Sequence, residues 1–494
     1  MLDERPGGHS LDFLCRLNFG LPLKSLSKIN TGKLQSEPLG RVLRYNALDA
    51  KYGHKLSVVQ EEALRRLGLY RSYQERFQRV PTAVLSQDIG ICTDVKETER
   101  LQVEVGKRIV GLVEDIKSRE EVALYEKEGH GDFNPTSNTQ VATMFRDICG
   151  FKEGKRAGNK YCVDKNVLKA IGTPLASDIL NLRSAAKMKN TYVDRLHPDA
   201  EDSYVFPTGR MHPTVRVVGT KTGRFSYAEP NGQNFPKRNP LVAEVRKQVV
   251  PPKGYKIVAV DYGQIEARVL GMASGDEYLC KALWENYDIH LEWAQKVAAL
   301  WPPTFKKRGE DMKRFRTDIK SELVFAAFYG AKQEHIGGML ELPRHLAKEL
   351  FEEFWDTFAG VYKWQQKLQK FYQDFGYVEG LTGGRRHGPL SPNMVLNSPI
   401  QGTAADLVID AMVRLSERAD RTDDWCYQPI LNIHDDLTFY LPIKNLETYM
   451  ENIIIEMVTM PYDWVNVPIE VEVSVGDNWH EMELVGKFTS ADMN

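Results

Sequence analysis

Apolar and polar positions follow two rhythms along this chain. Through 95–129, VKETERLQVEVGKRIVGLVEDIKSREEVALYEKEG sets apolar residues at helical spacing among interleaved acids and bases, which predicts one long amphipathic helix. A second helix is expected to begin near Gln140, capped by Ser137 or Asn138, and a third over 175–195. After 200 the rhythm changes. YVFPTGRMHPTVRVVG reads as short strands broken by turns, and IVAVD as a buried strand with Asp261 at its end. Residues 271–375 return to helix, QGTAADLVIDAMVRLSERAD continues it, and PILNIHDDLTFYL reads as a hairpin. A helix over 445–459 and an alternating strand in VPIEVEVSVGDNW close the chain, so the class is α+β. There is no internal repeat.

Composition narrows this picture only a little. The 494 residues are 42% hydrophobic, enough for a large core divided into two to four regions. No apolar run is long enough to span a membrane, and no secretory leader is evident. The six cysteines lack metal-ligand spacing, which suits a reducing, intracellular and cytoplasmic setting. The net charge of −2 neither favours nor excludes nucleic acid, since a local basic channel can coexist with an acidic exterior. PTFKKRGEDMKRFRTDIK at 303–320 is such a basic stretch, with a solvated helix face as its plain alternative.

The candidate chemistry begins with the paired aspartates of IHDDL, Asp435 and Asp436. Aspartate suits a turn, and a turn alone would explain them. With Asp261 as a third carboxylate they would instead form an oxygen-rich site for hard divalent ions, whose natural use is phosphoryl or nucleotidyl transfer. Arg316 and Lys320, one helical turn apart, are suited to hold phosphates; Phe325 and Tyr329 offer a flat apolar surface to a base. A charged helix face backed by core aromatics is the plain alternative for that segment.

These residues resemble the motifs of the family A DNA polymerases, the bacterial polymerase I type. DYGQIEARVL at 261–270 is similar to the family's DYSQIELR, with Gly263 for Ser; IHDDL is similar to its HDE motif, with Asp436 for Glu. RTDIKSELVFAAFYGA resembles the fingers-helix motif, while TGRFS, NGQNFP and NSPIQGTAAD resemble the segments that meet primer and template. The resemblance implies a right-hand fold, with 81–200 as thumb and helical linker, 201–275 and 401–494 as palm, and 276–400 as fingers. It implies DNA-templated DNA synthesis, of a replicative kind, with two Mg2+ ions, for which Mn2+ can substitute, held by Asp261 and Asp435. Asp436 and Lys320 would assist catalysis. Gln264, Glu266, His290, Arg316, Phe325 and Tyr329 would bind the nucleotide, with Glu266 excluding a ribose hydroxyl and Phe325 disfavouring dideoxynucleotides. Arg224, Asn231, Gln233, Asn234, Arg268, Asn397, Gln401 and His434 would meet the DNA, with Arg268 also bracing nearby structure. Primer–template DNA and deoxynucleotides are then the partners of an otherwise monomeric chain, with replisome proteins as further candidates.

Two departures stand out. The family spaces Lys, aromatic and Tyr at i, i+4 and i+8, whereas here the intervals from Lys320 are five and nine. In a regular helix five residues turn about 140° beyond a full revolution, so either one side of the assignment is off or, the favoured reading, a π-bulge realigns them. Asn393 stands where the family commonly has arginine, so the primer contact is expected either to be missing or to come from Arg385 or Arg386. At the start, YNALDAKYGHKL resembles the last exonuclease motif through Tyr45 and Asp49, and 1–80 reads as the C-terminal remnant of a 3′–5′ exonuclease domain lacking its upstream acids. A complete proofreading site is not expected from this chain alone. A separate polypeptide carrying the rest of that domain is one explanation, and the incomplete domain leans toward a phage or other mobile-element source. The rivals are an RNA-making polymerase with the same palm, against which Glu266 argues, a DNA-binding replication scaffold with a decayed site, and a subunit of a split polymerase–exonuclease.

Overall fold

The computed structural model describes residues 9–23, 29–151, 155–157, 160–237, 240–300 and 311–493. Its centre is a five-stranded antiparallel sheet. The strands are β1 (Tyr255–Tyr262), β2 (Leu431–Ile433), β3 (Asp436–Pro442), β4 (Glu470–Gly476) and β5 (Met482–Thr489), in spatial order β2–β3–β1–β4–β5. Ile257–Val260 are buried without alternation because β1 lies in the middle of the sheet with protein on both faces. Its two neighbours come from far along the chain. Asp436 pairs with Asp261 on one side and Glu472 pairs with it on the other, so distant segments meet at one residue.

Helices cover this sheet. The helix Leu446–Val458 packs on β3 and β4, and the long helix Pro392–Thr422 packs on Ile265–Ser274 and Ala359–Phe375. One continuous core joins them, and a second, smaller core lies among 116–182. In that smaller unit the structure corrects the expected helix over 95–129. The helix Val95–Lys117, capped by Asp94, stops at Ser118; Arg119 is extended, and a new helix runs from Glu120 to Tyr125 before a π-turn. The break has a tertiary cause: Arg119 Nε donates to Asp178 at 2.9 Å, while Ile116, Val122 and Tyr125 all enter the same core. Further on, Ser137, rather than Asn138, caps the helix Asn138–Thr143.

The C-terminal end differs too. The strand expected through VPIEVEVSVGDNW ends at Gly476, and β5 follows it as an unanticipated edge strand. Leu484 and Val485 in β5 are exposed, so its sequence lacks the alternation that marks a half-buried strand. At the opposite end of the chain, Tyr45 and Asp49 share the helix Leu39–Arg66.

Candidate active site

Asp261 is placed by β1 just before the chain turns into the helix Ile265–Ser274. Gly263 donates its backbone N–H to the Glu470 carbonyl at 2.8 Å. A Cβ on residue 263 would lie 2.3 Å from the Glu470 carboxylate, so the glycine that departs from the family motif makes room for this acid. Gln264 follows with φ of 52°, and Glu266 falls in the first helical turn. Arg268 is only 2% exposed; its guanidinium donates to the carbonyls of Gly263 and Pro468 and pairs with Glu470 at 3.3 Å. It is a brace for this corner, and its grouping with the DNA-binding residues is corrected.

The opposite wall is the β2–β3 hairpin. His434 and Asp435 form its turn, with His434 at φ of 56°. The turn reading of the aspartates is therefore sound for Asp435 as far as backbone goes, but this turn is clamped rather than free. The Asp435 carbonyl accepts from Tyr262 N at 3.1 Å, and Asn432 Nδ2 donates to the carbonyls of His434 and Asp436, both at 3.1 Å. The Asp435 carboxylate thereby joins Asp261 on the wall of a cavity of about 590 Å³, also lined by Gln264, Glu266, Arg316, Lys320 and Phe325. Asp436 does not line it; its carboxylate accepts from Thr438 Oγ1 at 3.0 Å.

The electrostatics are those of crowded acids. Asp261 opens onto the cavity, yet the surrounding protein together with Asp436, Asp435 and Glu472 pushes its pKa up to about 7, against the pull of Lys237. Burial also raises Asp435, opposed by Arg224 and reinforced by Glu266. Arg224 Nη2 bridges these two acids, at 2.9 Å from Glu266 and 3.2 Å from Asp435. Glu266 in turn accepts from the Tyr329 hydroxyl. A continuous chain of contacts thus links Tyr329, Glu266, Arg224 and Asp435.

The cationic wall is one bent helix. Met312–Ile319 is α-helical, Lys320–Val324 forms a π-turn, and Phe325–Phe328 resumes the α-helix. This is the bulge that the five-residue interval calls for. Its wider i→i+5 turn absorbs the extra residue, so the Lys320 ammonium sits 5.6 Å from the Phe325 ring centroid and both line the cavity. Phe325 and Tyr329 stack at 5.8 Å with planes 25° apart. Arg316 Nε pairs with Asp288 at 2.5 Å. His290 is buried against Phe325, and neither ring nitrogen has a hydrogen-bond partner. Burial, with Lys320 and Arg316 nearby, lowers its pKa to about 4, which keeps it neutral.

The remaining expected site residues lie elsewhere or have structural ties. Asn231 caps a short turn through Gln233 N, Gln233 Nε2 donates to the Phe225 and Asn432 carbonyls, and the Asn234 carbonyl accepts from Tyr192. Asn397 and Gln401 are half-buried on the helix Pro392–Thr422, and Asn397 Oδ1 has no partner. Asn393 and Tyr329 line a second, larger cavity of about 990 Å³, which shares Lys320 and Phe325 with the first. Arg385 pairs with Glu379, while Arg386 Nη1 donates to Ser398 at 2.7 Å. Tyr45 and Asp49 lie one turn apart on their helix and line neither cavity. Of the basic stretch, 303–310 lies outside the described residues. Sequence reasoning missed Asp288, Glu470, Glu472 and Lys487; only the alternation of VPIEVEVSV hinted that two of these share a face.

Among the described residues, no group of three or more His, Cys, Asp or Glu is arranged to hold a metal ion, and no helix is long and apolar enough to cross a membrane. Residues 104–481 match the model of DNA polymerase family A. The thermostable DNA polymerase I of Thermus aquaticus is 32% identical over 440 residues, covering 84% of this chain and 48% of that protein. DNA polymerase I of Chloroflexus aurantiacus is 30% identical over 464 residues, covering 90% and 47%. The chain thus spans about half the length of the curated relatives it matches. Among solved structures, the POL domain of Pol1 from M. smegmatis, in complex with DNA primer-template and dNTP, aligns with a TM-score of 0.78. That alignment has 24% identity and covers 97% of this chain and 80% of the other, which shows that the two share an α+β right-hand fold.

Proposed function

Because this chain belongs to DNA polymerase family A, we propose that it extends a DNA primer on a DNA template, adding deoxynucleotides and releasing pyrophosphate. The observation that carries this reading is the convergence of Asp261 and Asp435 with Arg316 and Lys320 on one cavity. In hand-like terms we assign 201–275 and 401–494 to the palm, 276–400 to the fingers and 81–200 to the thumb and its linker.

The donor set suits hard divalent cations. Asp261 and Asp435 are oxygen ligands whose proximity to other acids favours a bound positive charge, and Mg2+ would take its other ligands from phosphate and water. The two ions, when bound, supply activation of the primer hydroxyl and neutralisation of charge on the phosphates. The protein's own residues do the rest. Arg316 and Lys320 hold the triphosphate by charge-assisted hydrogen bonds, with Asp288 keeping Arg316 aimed while it waits. Phe325 and Tyr329 give the base a stacking surface. Glu266, fixed by Arg224 and Tyr329, occupies the space a ribose hydroxyl would need. Asn397 and Gln401 meet the minor groove of the terminal pair, where acceptors lie in similar places for every correct pair.

Primer extension on a DNA template with magnesium, beside Asp435→Asn, tests the reading. Extension by the parent and its loss in the variant is the expected result. Template binding without synthesis by the parent would favour a scaffold, and extension with ribonucleotides only would overturn the role of Glu266.

A further inference from the structure

The cavity has a cation that the fingers helix does not provide. Lys487 lies on β5, the edge strand beyond the residues 104–481 matched by the family, and it lines the same cavity as Asp261, Asp435, Arg316 and Lys320. Its ammonium pairs with Glu472, the residue directly across from Asp261 on β4. Lys487 therefore stands on the palm side while Arg316 and Lys320 stand on the fingers side.

Two observations indicate what this cation faces. First, Arg316 on the fingers helix and Lys487 on β5 line the same cavity, so two like charges converge on one space, as expected of donors aimed at one shared anion. Second, the pair with Glu472 is half exposed, with side-chain accessibilities of 51% and 38%, so little holds the ammonium against a competing and more strongly charged partner. The Gly263–Glu470–Arg268 corner beside it is rigid and buried, which keeps the β4 wall in place whichever partner Lys487 takes.

We propose that Lys487 is a polyphosphate-positioning residue, exchanging Glu472 for the triphosphate tail of the incoming nucleotide and for the pyrophosphate product. This rests on the polymerase reading above. With Lys487 drawn toward the polyphosphate, the anion is gripped from both walls, and Glu472 is left to face the cations gathered at Asp261. The chemistry recognised is a polyphosphate anion; the base and sugar play no part in it.

The test uses Lys487→Met, which keeps the apolar stem, and Lys487→Glu, each checked for parent-like melting. Binding of the next correct deoxynucleotide to enzyme on a dideoxy-terminated primer–template is measured with magnesium, together with steady-state extension and pyrophosphorolysis. The expected result is a Kd and KM raised about three- to tenfold in Lys487→Met and further in Lys487→Glu, with kcat changed far less. The pyrophosphate concentration for half-maximal pyrophosphorolysis rises in parallel, and Lys487→Arg restores both. A rise for the nucleotide alone would remove the product from the proposal. Parent-like values in both the Met and Glu variants would overturn it, leaving Lys487 as a staple between β4 and β5. A parent that neither extends a primer nor retains a nucleotide would overturn the polymerase reading and this inference with it.

Discussion

Asp261 on β1 and Asp436 on β3 are direct cross-strand partners, and Glu472 faces Asp261 from β4 on the other side. Three acids thus form a row across the middle of the sheet. Like charges directly opposite each other destabilise a sheet, and here burial first, then the neighbouring acids, push the Asp261 carboxyl up to about 7, from the ordinary 3.8. The fold tolerates a local cost at the place proposed to hold a cation.

That cost has a pH signature. A carboxyl whose pKa is higher in the folded than in the unfolded chain loses stability as pH rises between the two values, here from about 4 to about 7. Asp261→Asn should therefore raise the melting temperature more at pH 8 than at pH 4, in metal-free buffer. Magnesium should raise the parent's melting temperature at pH 8 and have a smaller effect on the variant. A variant effect independent of pH would show that the acid row is not strained.

The π-turn at Lys320–Val324 carries one residue more than a regular helix needs. Deleting Ser321, which is exposed, should let an α-helix run through with Lys320, Phe325 and Tyr329 still on one face. The deletion variant is expected to retain nucleotide incorporation within about tenfold, because a regular turn of 3.6 residues restores the alignment. Inserting an alanine at the same point should rotate the aromatics away and abolish it. Primer extension under saturating nucleotide distinguishes the two.

Glu266 is locked from two directions, by the Tyr329 hydroxyl and by Arg224. Glu266→Ala should open the space beside the sugar, with discrimination against ribonucleotides falling by about tenfold or more in kcat/KM. Phe325→Tyr should lessen discrimination against dideoxynucleotides. Single-nucleotide incorporation with matched deoxy, ribo and dideoxy substrates measures both, and unchanged selectivity would remove these residues from sugar recognition.

A buried ionic knot ties the N-terminal helices to the helix Pro392–Thr422. Arg76 and Arg79 each reach Asp406 at 2.7 Å, Arg79 also reaches Asp410 at 3.2 Å, and Thr382 donates to Asp406. Burial opposes charge on Asp406, but Arg79 and Arg76 hold its carboxyl below the usual range. Asp406→Ala should cost about 3–5 kcal/mol in urea unfolding, because it removes the buried acid that both guanidinium groups share and leaves Arg79 with the longer contact to Asp410 alone. Replacing Arg79 and Asp406 together by Met and Leu should cost less than the single change.

The sequence by itself determined the class of fold, the order of its motifs and even the irregular turn, since a five-residue interval between Lys320 and Phe325 is a local quantity that helix geometry interprets directly. It also marked Asp261 and Asp435, because a buried strand ending in an acid and an acid-bearing turn are local patterns. Only the tertiary structure decided that β1 lies between β3 and β4, and so that Asp261 stands between Asp436 and Glu472. It alone turned Arg268 inward, split the 95–129 helix at Arg119, seated Glu470 in the space of a missing Cβ at Gly263, and added β5 with Lys487. The physical reason is the same in each case. Periodicity reports which face of an element is buried, but its neighbours are chosen by pairing between residues far apart in the chain, and charge, burial and pKa at the site follow from those neighbours.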